Sequence, residues 1–427
     1  MQVALVIHPV RPRSGALRSP AARLDEAVGL AQALDLDVRE TAILPLRAVT
    51  PATLLGSGKV KELAVICEAE HIDVAVVDDA LSPVQQRNLE KAWGVKVIDR
   101  TGLILEIFAR RARTAAGKLQ VELARLAYER SRLVRTWTHL ERQRGGAGVM
   151  GGPGETQIES DRRLLDDRVI KLKRDLEEVE RTRGLQRAKR KRTPHPTIAL
   201  VGYTNAGKST LFNRVTQAKV LAKDMLFATL DPTLRELKLP GGRPAMLSDT
   251  VGFISDLPHE LVEAFRATLD EVREADIVLH VRDIADPDTE AQDKDVRTVL
   301  TEIGIGPESG RRVIEVWNKI DRLDGEAREH VLERAGRQGA AAVSAITGEG
   351  CEALLTLLGD LVDEGPDLIF DLASADGEAL AWLYRHGRVI ARDEVEGRVV
   401  VAARLSTQAL GQFEQMRPTA QVHAAAE

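Results

Sequence analysis

The octapeptide Gly202-Tyr-Thr-Asn-Ala-Gly-Lys-Ser209 constrains this chain more than any other stretch. It has the spacing of a phosphate-binding loop, G-x-x-x-x-G-K-[ST], which works only between a strand and a helix. The apolar Thr197-Ile-Ala-Leu-Val201 before it reads as a buried parallel strand, and Thr210-Leu-Phe-Asn-Arg214 after it as a helix. Gly202 and Gly207 let the backbone N–H groups of Tyr203, Thr204, Asn205 and Ala206 wrap a polyphosphate, with the positive end of the helix dipole behind them. Lys208 is expected to reach the β and γ phosphates and the Ser209 hydroxyl to bind Mg²⁺. An α/β fold follows.

Three further signals lie downstream in order. Asp249-Thr250-Val251-Gly252 follows the apolar Ala245-Met-Leu247, as expected where an aspartate holds Mg²⁺ through water and a glycine N–H meets the γ-phosphate. Asn318-Lys319-Ile320-Asp321 follows the strand-like Val313-Ile-Glu-Val-Trp317. A carboxylate there can accept two hydrogen bonds from the N1 and N2 edge of guanine, whereas adenine has no matching donors. Ser344-Ala345, after Ala341-Ala-Val343, would close over the base through backbone N–H. Each tetrapeptide alone is an ordinary strand-to-turn junction; together they imply guanine nucleotide binding, GTP or GDP.

At 427 residues, 44% hydrophobic and 29% charged, the chain has room for two to four domains with buried cores. The start Met-Gln-Val-Ala-Leu-Val-Ile-His is too short and uncharged for a signal peptide, and no apolar run approaches a membrane span, so a cytoplasmic monomer is expected. Cys67 and Cys351 offer neither a disulfide framework nor metal spacing.

The pattern divides the chain into four parts. Residues 1–110 read as a small α/β domain, with strands at Val3–Ile7, Val74–Val77 and Val95–Ile98 and a helix opened by Ser82-Pro83 and stopped by Gly94. Gly56-Ser-Gly-Lys59 resembles a second phosphate loop, but Thr53 stands where its first glycine belongs, so it reads as a turn into a helix over Val60–Cys67. Residues 111–192 carry heptad stripes, Leu119, Leu123, Leu126, Leu133, Trp137 and Leu140, then Leu165, Val169, Leu172, Leu176 and Val179, on either side of the glycine-rich loop 145–154. Two such helices form an antiparallel hairpin. Residues 110–144 hold ten Arg or Lys against three Glu, and Arg181 to Arg192 adds seven basic residues without an acid. A cationic, backbone-rich loop of this kind fits an RNA site despite the net charge of -5. Residues 193–365 form the P-loop GTPase domain. Residues 366–427 read as a small α+β domain in β-α-β-β-α order, with Ser406 as a candidate cap and a disordered tail from Pro418.

Gly94-Val-Lys-Val-Ile-Asp-Arg-Thr-Gly-Leu-Ile-Leu105, Gly117-Lys-Leu-Gln-Val-Glu-Leu123, Thr138-His-Leu-Glu-Arg-Gln-Arg-Gly-Gly146 and Gly152-Pro-Gly-Glu-Thr-Gln157 resemble the HflX GTPases. So do the phosphate loop, Phe227-Ala-Thr-Leu-Asp-Pro-Thr233 and Asp249-Thr-Val-Gly-Phe253. The resemblance spans nearly the whole chain, and the hairpin motifs are not general to GTPases. It implies association with the large ribosomal subunit and its RNA, a hairpin loop directed toward the peptidyl-transferase region, and the splitting or rescue of stalled or idle ribosomes under stress. It further implies nucleotide contacts from Phe227, Ala228, Thr229, Leu230 and Asp231, with Thr229 as the switch threonine that ligates Mg²⁺ together with Ser209. Thr233 is also a candidate, since spacing alone does not choose. Lys208, Thr229 and Gly252 are then the residues that act on the transferring phosphate.

The place after the Asp-x-x-Gly motif, where signalling GTPases keep a water-orienting glutamine, holds Phe253. A low intrinsic rate and stimulation by the ribosome are therefore expected. Asn205 resembles the loop asparagine of GTPases activated by K⁺, and equally fits a residue capping its own turn. A tRNA-modifying GTPase would need a modification site, and a signalling switch would leave the charge of the hairpin unused.

Overall fold

The computed structural model describes residues 1–11, 18–143, 163–179, 181–182, 195–218, 226–240, 244–256, 266–362, 367–395, 397–405, 407–418 and 420–424. The glycine-rich loop 145–154, the linker 183–194 and the candidate cap Ser406 lie outside them.

The first unit alternates strand and helix: β1 (Val3–Val10), α1 (Pro20–Gln32), β2 (Asp37–Pro45), α2 (Ser57–Ala69), β3 (Val74–Val77), α3 (Pro83–Trp93), β4 (Lys96–Asp99) and α4 (Arg100–Arg111). All four strands are parallel, in the order β2-β1-β3-β4. Ser82 and Gln85 close a capping box at α3, and Gly94 ends it in the left-handed region at φ 70°. Gly56 is the N-cap of α2, and Lys59 pairs with Glu62 on that helix, as a turn into a helix requires. β2 has no counterpart among the strands expected from sequence.

The hairpin begins with α5 (Ala115–Gln143) and returns through α6 at residues 163–179. The two helices run antiparallel, with Arg168 reaching Glu122 (2.5 Å) and Arg130, the interruption in the apolar stripe, reaching Asp166 (3.1 Å). These exposed pairs set orientation more than stability. The stripe expected on α6 is its less exposed face, with Leu172 buried. The first turns of α5 differ in part from expectation: Leu126 of the stripe is buried, but Leu119 and Leu123 are half-buried while Ala116, Gln120, Val121 and Ala124 are buried. This helix has more than one partner: it packs on α3, α4 and the core, while its Glu122 and Arg130 reach α6.

The third unit is a six-stranded sheet in the order β10-β9-β8-β5-β7-β6, where only β6 (Thr233–Lys238) is antiparallel. Its other strands are β5 (Thr197–Gly202), β7 (Pro244–Asp249), β8 (Ile277–Asp283), β9 (Arg312–Asn318) and β10 (Ala341–Ala342). The helices are α7 (Lys208–Thr216), α8 (Arg266–Glu274), α9 (Thr289–Glu302), α10 (Gly325–Gln338) and α11 (Cys351–Val362). The last unit contains β11 (Asp367–Ala373), α12 (Gly377–His386), β12 (Arg388–Val395), β13 (Arg398–Arg404), α13 (Thr407–Met416) and β14 (Gln421–Ala424). Its sheet is antiparallel, β12-β13-β11-β14. The expectation of a disordered tail from Pro418 is corrected: β14 pairs with β11, and Ala420 and Val422 pack on the core around Phe370 and Phe413. An open strand edge beside an apolar surface is enough to order a short segment that the local pattern leaves unmarked. No described helix is long and apolar enough to cross a membrane.

One apolar core runs through two units. Val6, Leu24, Leu103 and Phe108 of the first share a cluster with Val201, Phe227, Phe253 and Val278 of the third. Phe108 meets Phe227 edge to face, centroids 4.7 Å apart at 89°. Phe108→Ala should therefore destabilise the chain by about 3–5 kcal/mol. The loss should fall on both units at once in chemical denaturation followed by a probe in each. A shift confined to one unit would contradict a shared core.

Candidate functional site

β5 is the central strand of its sheet, hydrogen-bonded to β7 and β8, and buried along nearly its whole length. That position explains its unbroken apolar run and delivers the phosphate loop to the carboxyl edge of the sheet, where open α/β folds bind ligands. Gly207 stands at φ 92°, and a Cβ there would come within 2.2 Å of Asn318 Nδ2, so both conformation and space demand glycine. Lys208 opens α7 and donates to the carbonyls of Gly202 (3.0 Å) and Tyr203 (2.8 Å).

The hydroxyls and carboxylate expected around a metal converge. Ser209 Oγ lies 2.8 Å from Thr229 Oγ1 and donates to Asp249 Oδ2 at 2.7 Å, and Thr229 Oγ1 donates to the same oxygen at 2.9 Å. The other oxygen, Asp249 Oδ1, is buried and finds no hydrogen-bond partner among the described residues. Thr233, the other threonine considered, opens β6 opposite Asp249. Thr204 Oγ1 accepts from Phe227 N (2.9 Å), tying the phosphate loop to the segment that carries Thr229. Thr204, Asn205, Lys208, Ser209, Thr229 and Gly252 border one narrow cavity of about 40 Å³. Ala228 and Thr250 also line it. Val251 and Leu230 are buried in the core instead.

Burial dominates the electrostatics. It pushes the Lys208 ammonium down to about 8, against partial recovery from Asp249, and it pushes the Asp249 carboxyl up. Both shifts have the same cause: two charges held out of water by the fold.

At the other end, Asn318 donates to Ala206 O (2.9 Å) and accepts from Ala345 N (3.0 Å), so one amide fixes the phosphate loop against the Ser344-Ala345 loop. Lys319 has a left-handed backbone, φ 67°, and its ammonium lies 2.6 Å from Asp283. Ile320 is buried and Asp321 is exposed at the rim. Arg214 from α7 donates to the carbonyls of Ala345 (3.1 Å) and Ile346.

Asp231, grouped with the nucleotide-binding segment from sequence, turns its carboxylate elsewhere. It accepts from Arg113 N (2.8 Å), Thr114 N (2.9 Å) and Thr114 Oγ1 (2.5 Å), capping the first turn of α5 from outside. The approach is so close that a Cβ on Gly117 would sit 2.4 Å from Asp231 Oδ1. Glycine at the third position of a long helix was the sequence signal for this contact. Glu26, Arg100, Arg18 and Ser255, which also join the first unit to this site, carried no such signal.

Family models match four segments: "GTP-binding GTPase N-terminal" over residues 21–109, "GTP-binding GTPase Middle Region" over 111–190, "50S ribosome-binding GTPase" over 197–319, and "HflX C-terminal domain" over 330–423. The chain is 53% identical over 394 residues to a GTPase HflX of Magnetococcus marinus, covering 92% of this chain and 90% of that protein. It is 50% identical to a GTPase HflX of Escherichia coli, covering 73% and 72%. Among solved structures, a GTP-binding protein from Sulfolobus solfataricus in complex with GDP aligns at 24% identity over 85% of this chain and 99% of that one, TM-score 0.46.

The depressed Lys208 ammonium has a measurable consequence without nucleotide. Below pH about 8 the lysine is charged both folded and unfolded, and folding bears the whole cost of burying it. That cost, on the order of 3 kcal/mol, fades as pH rises from about 8 to the ordinary lysine range and is gone above it. Lys208→Met should therefore be more stable than the parent at pH 7 in nucleotide-free urea titrations, with the advantage gone near pH 11. An equal advantage at both pH values would contradict the burial argument.

Proposed function

This chain belongs to the HflX family of GTPases, and on that premise we propose that it binds the large ribosomal subunit and its RNA in the GTP state, through the tip of its hairpin, and acts in splitting or rescuing stalled or idle ribosomes under stress. It binds and hydrolyses GTP. In this reading residues 1–110, 111–192, 193–365 and 366–427 are its functional divisions, and it works as a cytoplasmic monomer. The description "50S ribosome-binding GTPase" for the segment matching residues 197–319 and the basic hairpin both support the partner.

One observation carries the coupling between nucleotide and hairpin. Thr229, at the hydroxyl cluster, and Asp231, at the cap of α5, are two residues apart on one segment. A change in that segment on loss of the γ-phosphate therefore acts directly on the helix that leads to the hairpin tip.

The oxygen set fits Mg²⁺, and the orphaned Asp249 Oδ1 is an acceptor that a metal-bound water would satisfy. Ser209 and Thr229 would ligate it with Asp249 acting through water, and there it would neutralise charge between the β and γ phosphates. Lys208 then exchanges its bonds to Gly202 and Tyr203 for phosphate oxygens, and Gly252 N–H meets the γ-phosphate. K⁺ beside Asn205, whose backbone is left-handed at φ 59°, is the corresponding assignment for a monovalent cation. Phe253 is 1% exposed and cannot orient water, so the free chain hydrolyses slowly and ribosome contact raises the rate.

Two measurements test this reading. Large-subunit affinity, by co-sedimentation, should be roughly 5- to 150-fold higher with a non-hydrolysable GTP analogue than with GDP, and the subunit should tighten the analogue by the same factor. Equal sedimentation in both states would refute the coupling. At the base, Asp321→Asn should shift preference from guanine toward xanthine nucleotides, because an amide can donate to the exocyclic oxygen that replaces the amine. Unaltered GTP affinity would remove Asp321 from the base site.

A further inference from the structure

We propose that Glu26, in the first unit, is a positioning residue for GTP hydrolysis, holding the phosphate loop and the Gly252 segment in one register through the hydroxyl of Tyr203. The proposal rests on the reading above that Gly202–Ser209 and Gly252 hold the phosphates.

The two segments already meet through the backbone: Phe253 N donates to Gly202 O (3.1 Å) and Thr204 N to Phe253 O (2.7 Å). Gly252 is pressed so close that a Cβ on it would lie 2.8 Å from Thr204 Cα and 3.1 Å from Lys208 Nζ. A shift of either segment by a fraction of an ångström therefore moves Gly252 N–H relative to Lys208. Two backbone bonds form a hinge, and a hinge leaves rotation free.

Glu26 removes that freedom. Its Oε2 accepts from Tyr203 Oη, and its Oε1 accepts from Ser255 Oγ (2.8 Å) and from Arg100 Nη2 (2.5 Å). Tyr203 Oη in turn accepts from Ser255 N (2.8 Å) and Arg18 Nη1 (2.8 Å), so its one proton and both lone pairs are used. Arg100 closes the loop by donating to Ser255 O (3.0 Å). One carboxylate thus grips the side chain of the first variable loop residue and the residue three past Gly252 together. Tyr203, Ser255 and Arg100 are all at most 5% exposed. An apolar contact would pack these surfaces as stably as buried charges do, and what the directional network adds is a single alignment. Because Phe253 supplies no water-orienting group, the reaction depends on that alignment more than it would with a glutamine in place.

A double-mutant cycle tests the assignment. Glu26→Gln, Tyr203→Phe and the double variant of the full chain are compared for GTP kcat and KM, for affinity toward GDP and a non-hydrolysable GTP analogue, and for thermal midpoint. Each single change should lower kcat and the analogue-to-GDP affinity ratio by about five- to tenfold, the worth of one buried hydrogen bond, with GDP affinity held within about twofold. The double variant should be no worse than the poorer single, because both remove one link. An unchanged ratio and kcat in Tyr203→Phe, whose fold loses only a hydroxyl, would overturn the proposal. So would additive losses, or a lower thermal midpoint with GDP and analogue weakened alike. Lys208→Ala, measured alongside, separates the two readings: undiminished GDP binding there means the phosphate site itself was misassigned, whatever Glu26 does.

Discussion

The edge-to-face contact of Phe108 with Phe227 is the constraint on which the arrangement of this molecule depends. Apolar contact is non-directional and would tolerate many orientations, so it supplies cohesion without a register. What it does decide is location. By drawing Phe227 into a core that begins in another unit, it leaves Ala228 to Asp231 only a few residues in which to reach the Ser209–Asp249 hydroxyl cluster at one end and the α5 cap at the other. Polar contacts then choose the geometry within that span: the Thr229 hydroxyl on Asp249, the Asp231 carboxylate on Thr114, and the phenol of Tyr203 on Glu26.

The site is also costly to keep empty. Lys208 and Asp249 are both out of water, and each shifts toward its neutral form for that reason. Their mutual attraction recovers only part of the loss. A ligand that brings phosphate charge to the lysine and a cation to the aspartate removes two desolvation penalties at once, so binding and folding stability are linked in this domain more strongly than the number of contacts implies.

Local chemistry was legible in the sequence. The phosphate loop, the N-cap at Ser82-Pro83, the stop at Gly94 and the stripe on α6 each express a rule that acts over a few residues. What was not legible involves partners far apart in the chain. β2 and β14 are both edge strands, and each pairs along one side of a strand distant from it in sequence, β2 on β1 and β14 on β11. The buried face of α5 is set by α3, α4 and the core, so a heptad count found only part of it. Asp231 was grouped with the nucleotide contacts, yet its carboxylate works on a helix more than a hundred residues earlier. Arg100 lies inside a motif quoted for resemblance alone, and no periodicity could have revealed that Glu26 and Ser255 lie on either side of Tyr203.

Those separations also fix an order of events during synthesis. Arg113 and Asp231 are 118 residues apart, and Glu26 and Ser255 are 229 apart. At ~5–20 residues per second, the ribosome needs on the order of ten seconds to a minute to deliver Ser255 after Glu26. Once residue 111 has been made, the first unit still lacks the partners that complete it: Phe108 and Leu103 have no Phe227 or Phe253 to pack on, Arg100 has no Ser255, and the first turn of α5 has no Asp231 to cap it. Until then the nascent chain carries apolar positions, Leu103 and Phe108 among them, whose burial in the finished molecule is not yet complete, and incomplete burial of that kind is what makes folding intermediates aggregation-prone.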